Sequence, residues 1–298
     1  MRYFPTPYPD ELLGSLLIRA CHHLGITPWA LVRFLDDESK SLFFLYPSSF
    51  RGLSRLTNLP SDILLLKHTV FPYAAIGLSQ NGRSALAQEL LSASARSNNA
   101  RLGAAFGLHI EGLSYRRFCE VCRAEECSQI GESYWHREHA LPGVFVCPQH
   151  EEILSVSNIA LRPQLSTRNA LLPQEVTGHQ GNWGLDKASM KVLAMAVLEA
   201  MKLPGESWET TSGNYLRFAT EITSGRGRHR WNVDSLTLEF KHKYDSGFLE
   251  RIGLPLYSVD ADAWPARLVR GDLPTVLLPL RYILLWQFLK FSTESQKF

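Results

Sequence analysis

Between Phe118 and His150, in "FCEVCRAEECSQIGESYWHREHALPGVFVCPQH", the chain concentrates four of its five cysteines and three histidines. Cys119 and Cys122 form a C-x-x-C, and Cys147 and His150 form a C-x-x-H. Each short spacing lets two side chains converge from one turn, so two such knuckles can close a tetrahedron. Thiolates and imidazole are preferred zinc ligands. Four protein ligands leave no position for a reactive water, so the expected ion is structural and staples a small, core-poor insert that unfolds without it. Position 123 is Arg, so the C-x-x-C-H of haem attachment is absent. A second shell, Cys119, Cys122 and Cys127 with His136 or His139, would leave the Cys147–His150 knuckle unused.

Composition sets the compartment and narrows the partners. The chain has 298 residues, long enough for one large or two to three small domains. Its formal net charge is only +2, so any nucleic-acid surface must be local. The opening "MRYFPTPYPDELLGSLL" lacks the basic-then-apolar layout of a signal peptide. The longest apolar run, Leu273 to Leu289, is broken by Pro279 and Arg281, so no membrane span is expected. A cytoplasmic setting follows, where clustered cysteines bind metal more often than they pair.

Apolar spacing is mostly helical, and the expected fold is mainly α: helix-turn-helix-bearing helical domains with a small inserted zinc-ribbon or zinc-finger module. Leu12, Leu13, Leu16, Leu17, Ala20, Cys21 and Leu24 recur at helical intervals, with Arg19 and His22 on another face. Gly25 ends that helix. Thr27 caps a second helix that begins at Pro28 and has Trp29, Val32 and Leu35 on its apolar side. Helix, glycine turn, helix is a helix-turn-helix layout, although an ordinary helical hairpin is the plainer reading of spacing alone. Further helices are predicted at Asp62–Lys67, Arg83–Ser97, Lys187–Lys202, Tyr215–Ile222, Val233–Tyr244 and over the closing "LPLRYILLWQFLKF", with a linker-like stretch from Ser155 to Glu175. The expected domains are residues 1–113 (helical), 114–160 (zinc-binding) and 161–298 (helical, with a second helix-turn-helix-like segment).

Two basic patches are candidate DNA contacts. Arg226, Arg228, His229 and Arg230 lie on a Gly-rich loop ahead of a helix bearing Lys241, His242 and Lys243, where guanidinium groups can follow phosphates. Arg116, Arg117 and Arg123 flank the first knuckle as a weaker patch. The segments Thr27–Leu35 and Val233–Tyr244 are the candidate groove-reading helices. Convergent carboxylates for a two-metal nuclease are missing: the close pair Asp260 and Asp262 has no third partner nearby. No G-x-x-x-x-G-K-[ST] phosphate loop occurs. A zinc-stapled helix-turn-helix transcriptional regulator is an alternative reading.

"FPTPYPDELLGSLLIRA", "HTVFPY" and "YRRFCEVC…YWHREHALPGVFVCPQH" together resemble the TniQ family, target selectors of heteromeric DNA transposons, and within it the N-terminal part of TnsD-type proteins. The likeness is best over Met1 to about Leu154. It implies a helical, helix-turn-helix protein with zinc on Cys119, Cys122, Cys147 and His150. It also implies a non-catalytic adaptor that marks DNA and recruits a TnsC-like AAA+ ATPase. Targeting in such proteins uses either a fixed chromosomal site or a CRISPR effector complex with guide RNA, and a homodimer is a further expected assembly. Relatives with a second zinc motif differ here, because Cys127, His136 and His139 are one ligand short. TnsD-type proteins usually run longer, so the chain is expected to be a truncation or a shorter TniQ. The proline- and aromatic-rich Arg2, Tyr3, Phe4, Pro5 and Tyr8 are the candidate partner-binding segment.

Overall fold

A computed structural model of the chain describes residues 3–35, 42–45, 50–76, 78, 80–92, 107, 109–161, 164–201, 233–257, 262–270 and 279–295. At its centre runs α1, Leu13–Leu24, buried from Leu13 through Cys21 on every side. Gly25 ends it at φ 62°, with Gly25 N–H donating to His22 O and Ile26 N–H to Cys21 O. That pair of bonds satisfies two carbonyls the helix end would otherwise leave open, in a conformation that costs glycine nothing. The next helix, α2 (Pro28–Val32), is capped by the Thr27 side chain, which accepts from Ala30 N–H.

Two expectations about these helices are corrected. Trp29 is 64% exposed, while Leu31 is fully buried in its place; α2 is too short for its apolar side to be set by extrapolated periodicity. Arg19, placed by spacing on a face other than the apolar one, is buried as well, because α1 is covered on all sides from Leu13 to Cys21.

Among the described residues four more helices follow in the N-terminal part: α3 (Phe50–Thr57), α4 (Ser61–His68), α5 (Phe71–Ala74) and α6 (Gln80–Leu91). The chain then enters a three-stranded antiparallel sheet, β1 (Tyr115–Phe118), β2 (Ser155–Ala160) and β3 (Gly178–Gln180), in the order β1-β2-β3. Arg117 lies opposite Val156 and Ser155 opposite Gln180, with a bulge between Tyr115 and Arg117. Helices α7 (Glu120–Ile130) and α8 (Arg137–Ala140) lie between β1 and β2. The stretch expected to be a linker therefore begins as a strand, and Leu161, Leu165, Ala170 and Leu172 within it are buried. Helices α9 (Lys187–Met201), α10 (Val233–Lys243), α11 (Ser246–Arg251), α12 (Trp264–Arg270) and α13 (Pro279–Ser295) follow. The predicted Tyr215–Ile222 helix lies outside the described residues.

One continuous apolar core joins these elements. Trp135 sits at its middle, edge-on to Phe44 at 6.2 Å and to Phe118 at 6.0 Å. Its indole N–H donates to Leu171 O, its backbone N–H to Ser15 Oγ, and its carbonyl accepts from Leu12 N–H. On the other side Phe145 stacks on Trp183 at 4.2 Å and meets Phe248 edge-on. Gly143, at φ 93°, lets this loop approach α9 and α13: a Cβ there would lie 2.8 Å from side-chain carbons of Val197 and Leu280. Among the described residues no helix is long and apolar enough to cross a membrane.

His68, buried at the end of α4, donates from Nδ1 to Glu11 O. Burial holds its pKa below the ordinary value of 6.5, despite the Glu11 carbonyl favouring the charged form. The folded state therefore takes up a proton less readily than the unfolded chain. Its contribution is complete above about pH 6.5 and is lost as the pH falls below that value. Denaturant titrations of the parent and of His68→Gln from pH 7.5 to 5 should show the parent losing stability relative to the variant as the pH falls below about 6.5.

Candidate metal centre

The end of β1 delivers Cys119 in extended geometry (φ −96°, ψ 129°) as the residue before α7, and Cys122 follows in the first turn of that helix. The second knuckle is a tight loop. Val146 bridges to Ile153, Cys147 N–H donates to Glu152 O, and Glu151, in the left-handed region at φ 56°, donates to Cys147 O. This reversal turns Cys147 and His150 toward the first pair.

Four donor atoms converge and can hold one metal ion: the Sγ atoms of Cys119, Cys122 and Cys147 and Nδ1 of His150, all within 4.8 Å of one another. Cys122 Sγ lies 3.6 Å from Cys147 Sγ. His150 Nδ1 is 3.7, 3.3 and 3.7 Å from the sulfurs of Cys119, Cys122 and Cys147. A tetrahedral ion with metal–sulfur bonds of about 2.3 Å needs S···S edges of about 3.8 Å and S···N edges of about 3.6 Å. The observed edges fit. Thiols this close do not ionise independently: hydrogen bonds from Cys122 and Cys147 drive the Cys119 pKa far below the thiol range, and the same contacts push Cys122 far above it. His150 N–H also donates to Cys147 Sγ at 3.4 Å. The three cysteines are buried and His150 is half-buried.

The TniQ family model matches residues 2–154, which contain this centre and α1 through α8. The chain belongs to the TniQ family. It is also similar to the transposon Tn7 transposition protein TnsD of Escherichia coli, 28% identical over 156 residues. That match covers 50% of the chain and 30% of the relative, so the chain spans about a third of that protein's length.

In this TniQ protein the extra cysteine and histidines lie outside the four-ligand set. Cys127 stands apart from the four converging ligands among the described residues. His136 bonds Glu126 and lies 3.8 Å from the Asp10 carboxylate. Burial opposes its charge, but those two carboxylates hold its pKa at about 9. Cys122, Glu126 and His136 form a second potential metal-binding group, but it shares Cys122 with the first. His139 is buried, and burial lowers its pKa to about 3.

Arg116 and Arg117 are corrected as DNA contacts, because both are buried. Arg116 lies over the Phe44 ring at 3.8 Å, and burial lowers its pKa to about 9. Arg117 donates to His139 O and Leu141 O, pinning α8 to β1. Alternation along β1 suggests that one arginine should face outward. Instead β1 is covered on both faces, by Phe44 and Trp135 on one side and by Phe145 and Trp183 on the other. Arg123 is paired with Glu120, lies over Phe118 and donates to Val176 O.

Arg226, Arg228, His229 and Arg230 lie outside the described residues, whereas Lys241, His242 and Lys243 are exposed at the end of α10. Leu236, Phe240 and Tyr244 tie that helix to the core. In the N-terminal segment Arg2 lies outside the described residues, Pro5 is buried and Phe4 packs on the core. Tyr8 stacks on Tyr134 and takes the Arg19 guanidinium over its ring at 3.8 Å. Tyr3 is 54% exposed and bonds His23.

A buried charge network, missed by sequence reasoning, holds this segment. Arg19 bonds Glu11 at 2.7 Å and Glu132 at 2.8 Å, and Glu132 also meets His23 at 2.8 Å. Arg19 and Glu132 are far apart in sequence, and no local signal pairs them. The nearest hint is a charged residue set in the otherwise apolar "LLGSLLIRA".

Proposed function

We propose that this TniQ protein is a non-catalytic target-site selector of DNA transposition. In this reading it engages target DNA, directly or through an RNA-guided effector, and recruits a TnsC-like AAA+ ATPase. The observation that carries the proposal is the Cys119, Cys122, Cys147 and His150 cluster, lying inside the segment that matches the family and sharing a core with α1. Zinc is the ion that suits three thiolates and one imidazole, and with four protein ligands its role is to cross-link β1, α7 and the second knuckle. Cys119, Cys122, Cys147 and His150 hold it, and hydrogen bonds at the knuckle keep the donors in place.

DNA contact is assigned to Arg226, Arg228, His229 and Arg230 with Lys241 and Lys243, groups that position a protein on phosphates without naming a sequence. Within the N-terminal segment, Arg2, Tyr3 and Tyr8 are assigned to the ATPase, while the buried Pro5 and the core-packed Phe4 are withdrawn as contacts and anchor the segment instead. Tyr3 supplies its exposed aromatic surface, and the Tyr8–Arg19 contact fixes its course.

Changing Arg226, Arg228 and Arg230 together to Glu should weaken DNA association. It should also flatten the dependence of log K on log[salt] by about 2 to 3, at roughly 0.9 for each phosphate that is no longer neutralised. Gel shifts across a salt series measure both effects, and unchanged binding would return that loop to an ordinary solvated one. A pull-down against the ATPase tests recruitment. DNA binding without ATPase capture would favour the zinc-stapled regulator, and cleavage of the DNA would favour a nuclease.

A further inference from the structure

The second nitrogen of His150 has its own partner. Nδ1 faces the three sulfurs, and Nε2 points away from them to Glu125 Oε2 at 3.1 Å. A neutral imidazole carries one N–H, so Nδ1 can offer a lone pair to a cation only when the proton sits on Nε2. A carboxylate that accepts that proton fixes both the tautomer and the ring plane. Cys122 and Glu125 are three residues apart on α7 and share a face, so the helix that supplies a thiolate also reaches the histidine of the other knuckle. The neighbouring acids are otherwise engaged. Glu126 bonds His136 and Tyr134 N–H, Glu151 pairs with Lys191, and Glu152 pairs with Lys187. Among the described residues no lysine or arginine pairs with Glu125.

From this arrangement we propose that Glu125 is the positioning residue of the metal centre, holding His150 in the tautomer and orientation that present Nδ1 to the ion. The proposal rests on the reading that the four-residue cluster binds zinc. It adds a fifth residue that touches no metal yet sets the affinity. The Glu125 side chain is 48% exposed, so its effect comes from hydrogen-bond geometry rather than from a charge buried beside the ion.

The test is a zinc titration of the full chain against a competing chelator, for the parent protein, Glu125→Ala, Glu125→Gln and Glu151→Ala. The parent is expected to bind one equivalent; failure there would count against the cluster reading itself. With binding established, Glu125→Ala should keep one equivalent but bind it about tenfold more weakly, the low end of the 10–100-fold range for such partners. Glu125→Gln, which retains an acceptor for Nε2–H, should stay near the parent value. Glu151→Ala, which removes an equally exposed acid from the same knuckle, should be neutral. Nitrogen NMR of His150 gives an independent readout on the zinc-loaded parent. Nδ1 should show the metal-bound shift, and the Nε2 proton should exchange slowly with solvent. Metal on Nε2, a freely exchanging Nε2 proton, or parent-like affinity in Glu125→Ala would each overturn the proposal.

Discussion

Cys147→Ser is expected to take the zinc content of the purified chain from about one equivalent to near zero and to make residues 118–152 the first site of proteolysis. Cys147 is completely buried, its sulfur lies 3.6 Å from that of Cys122, and it accepts the His150 N–H. A serine hydroxyl there is a poor zinc ligand. The remaining three donors would leave an open shell in a segment whose regular structure is the last residue of β1 and two helices. Apparent zinc-binding free energies in small modules are about 10 to 16 kcal/mol, comparable to the whole stability of a domain at roughly 5 to 15 kcal/mol. Because Phe118 and Trp135 pack in the same core as Phe44, the damage should reach the N-terminal helices. The thermal midpoint should therefore drop, beyond any local fraying. Elemental analysis, limited proteolysis and a melting curve on one preparation check all three outcomes. A variant that keeps its zinc and melts like the parent would remove Cys147 from the ligand set.

Trp135→Ala should cost about 3 to 5 kcal/mol without touching a metal ligand, the range for deleting a buried aromatic. Trp135 is 1% exposed and joins three parts of the molecule: α1 through Ser15 and Leu12, the Phe43–Leu45 stretch through Phe44, and the Leu171 loop through its indole N–H. Alanine would leave both a large void and the Leu171 carbonyl without its donor. Trp135→Phe keeps most of the ring and loses the N–H, so it should cost less, with about 1 kcal/mol from the missing hydrogen bond. Urea midpoints of the three proteins give the order, with zinc content near one equivalent in each. Equal midpoints would show that the centre of the core lies elsewhere.

Much of the local architecture could be read from residue spacing. The glycine that ends α1, the threonine that caps α2 and the proline at its start act on backbone groups within a turn, so their positions specify the outcome. The same holds for the C-x-x-C and C-x-x-H knuckles, each a single turn with both ligands on one side. Arg116 and Arg117 failed the same treatment. Two adjacent arginines are a basic patch on paper, but here each guanidinium lies against aromatic rings contributed from distant parts of the chain. Trp29 failed in the other direction: it is 64% exposed, and Leu31 fills the buried side of α2 instead.

Sequence alone determined where α1 ends and α2 begins, which four residues could share an ion, and the family to which residues 2–154 belong. These are properties of neighbours along the chain. The tertiary structure decided which charges are buried and with whom, as in Arg19 with Glu11 and Glu132, Arg117 with the carbonyls of α8, and Glu125 with His150. Burial depends on what arrives from elsewhere in the chain, and so do the partners that buried charges such as Arg19 and Arg117 find there.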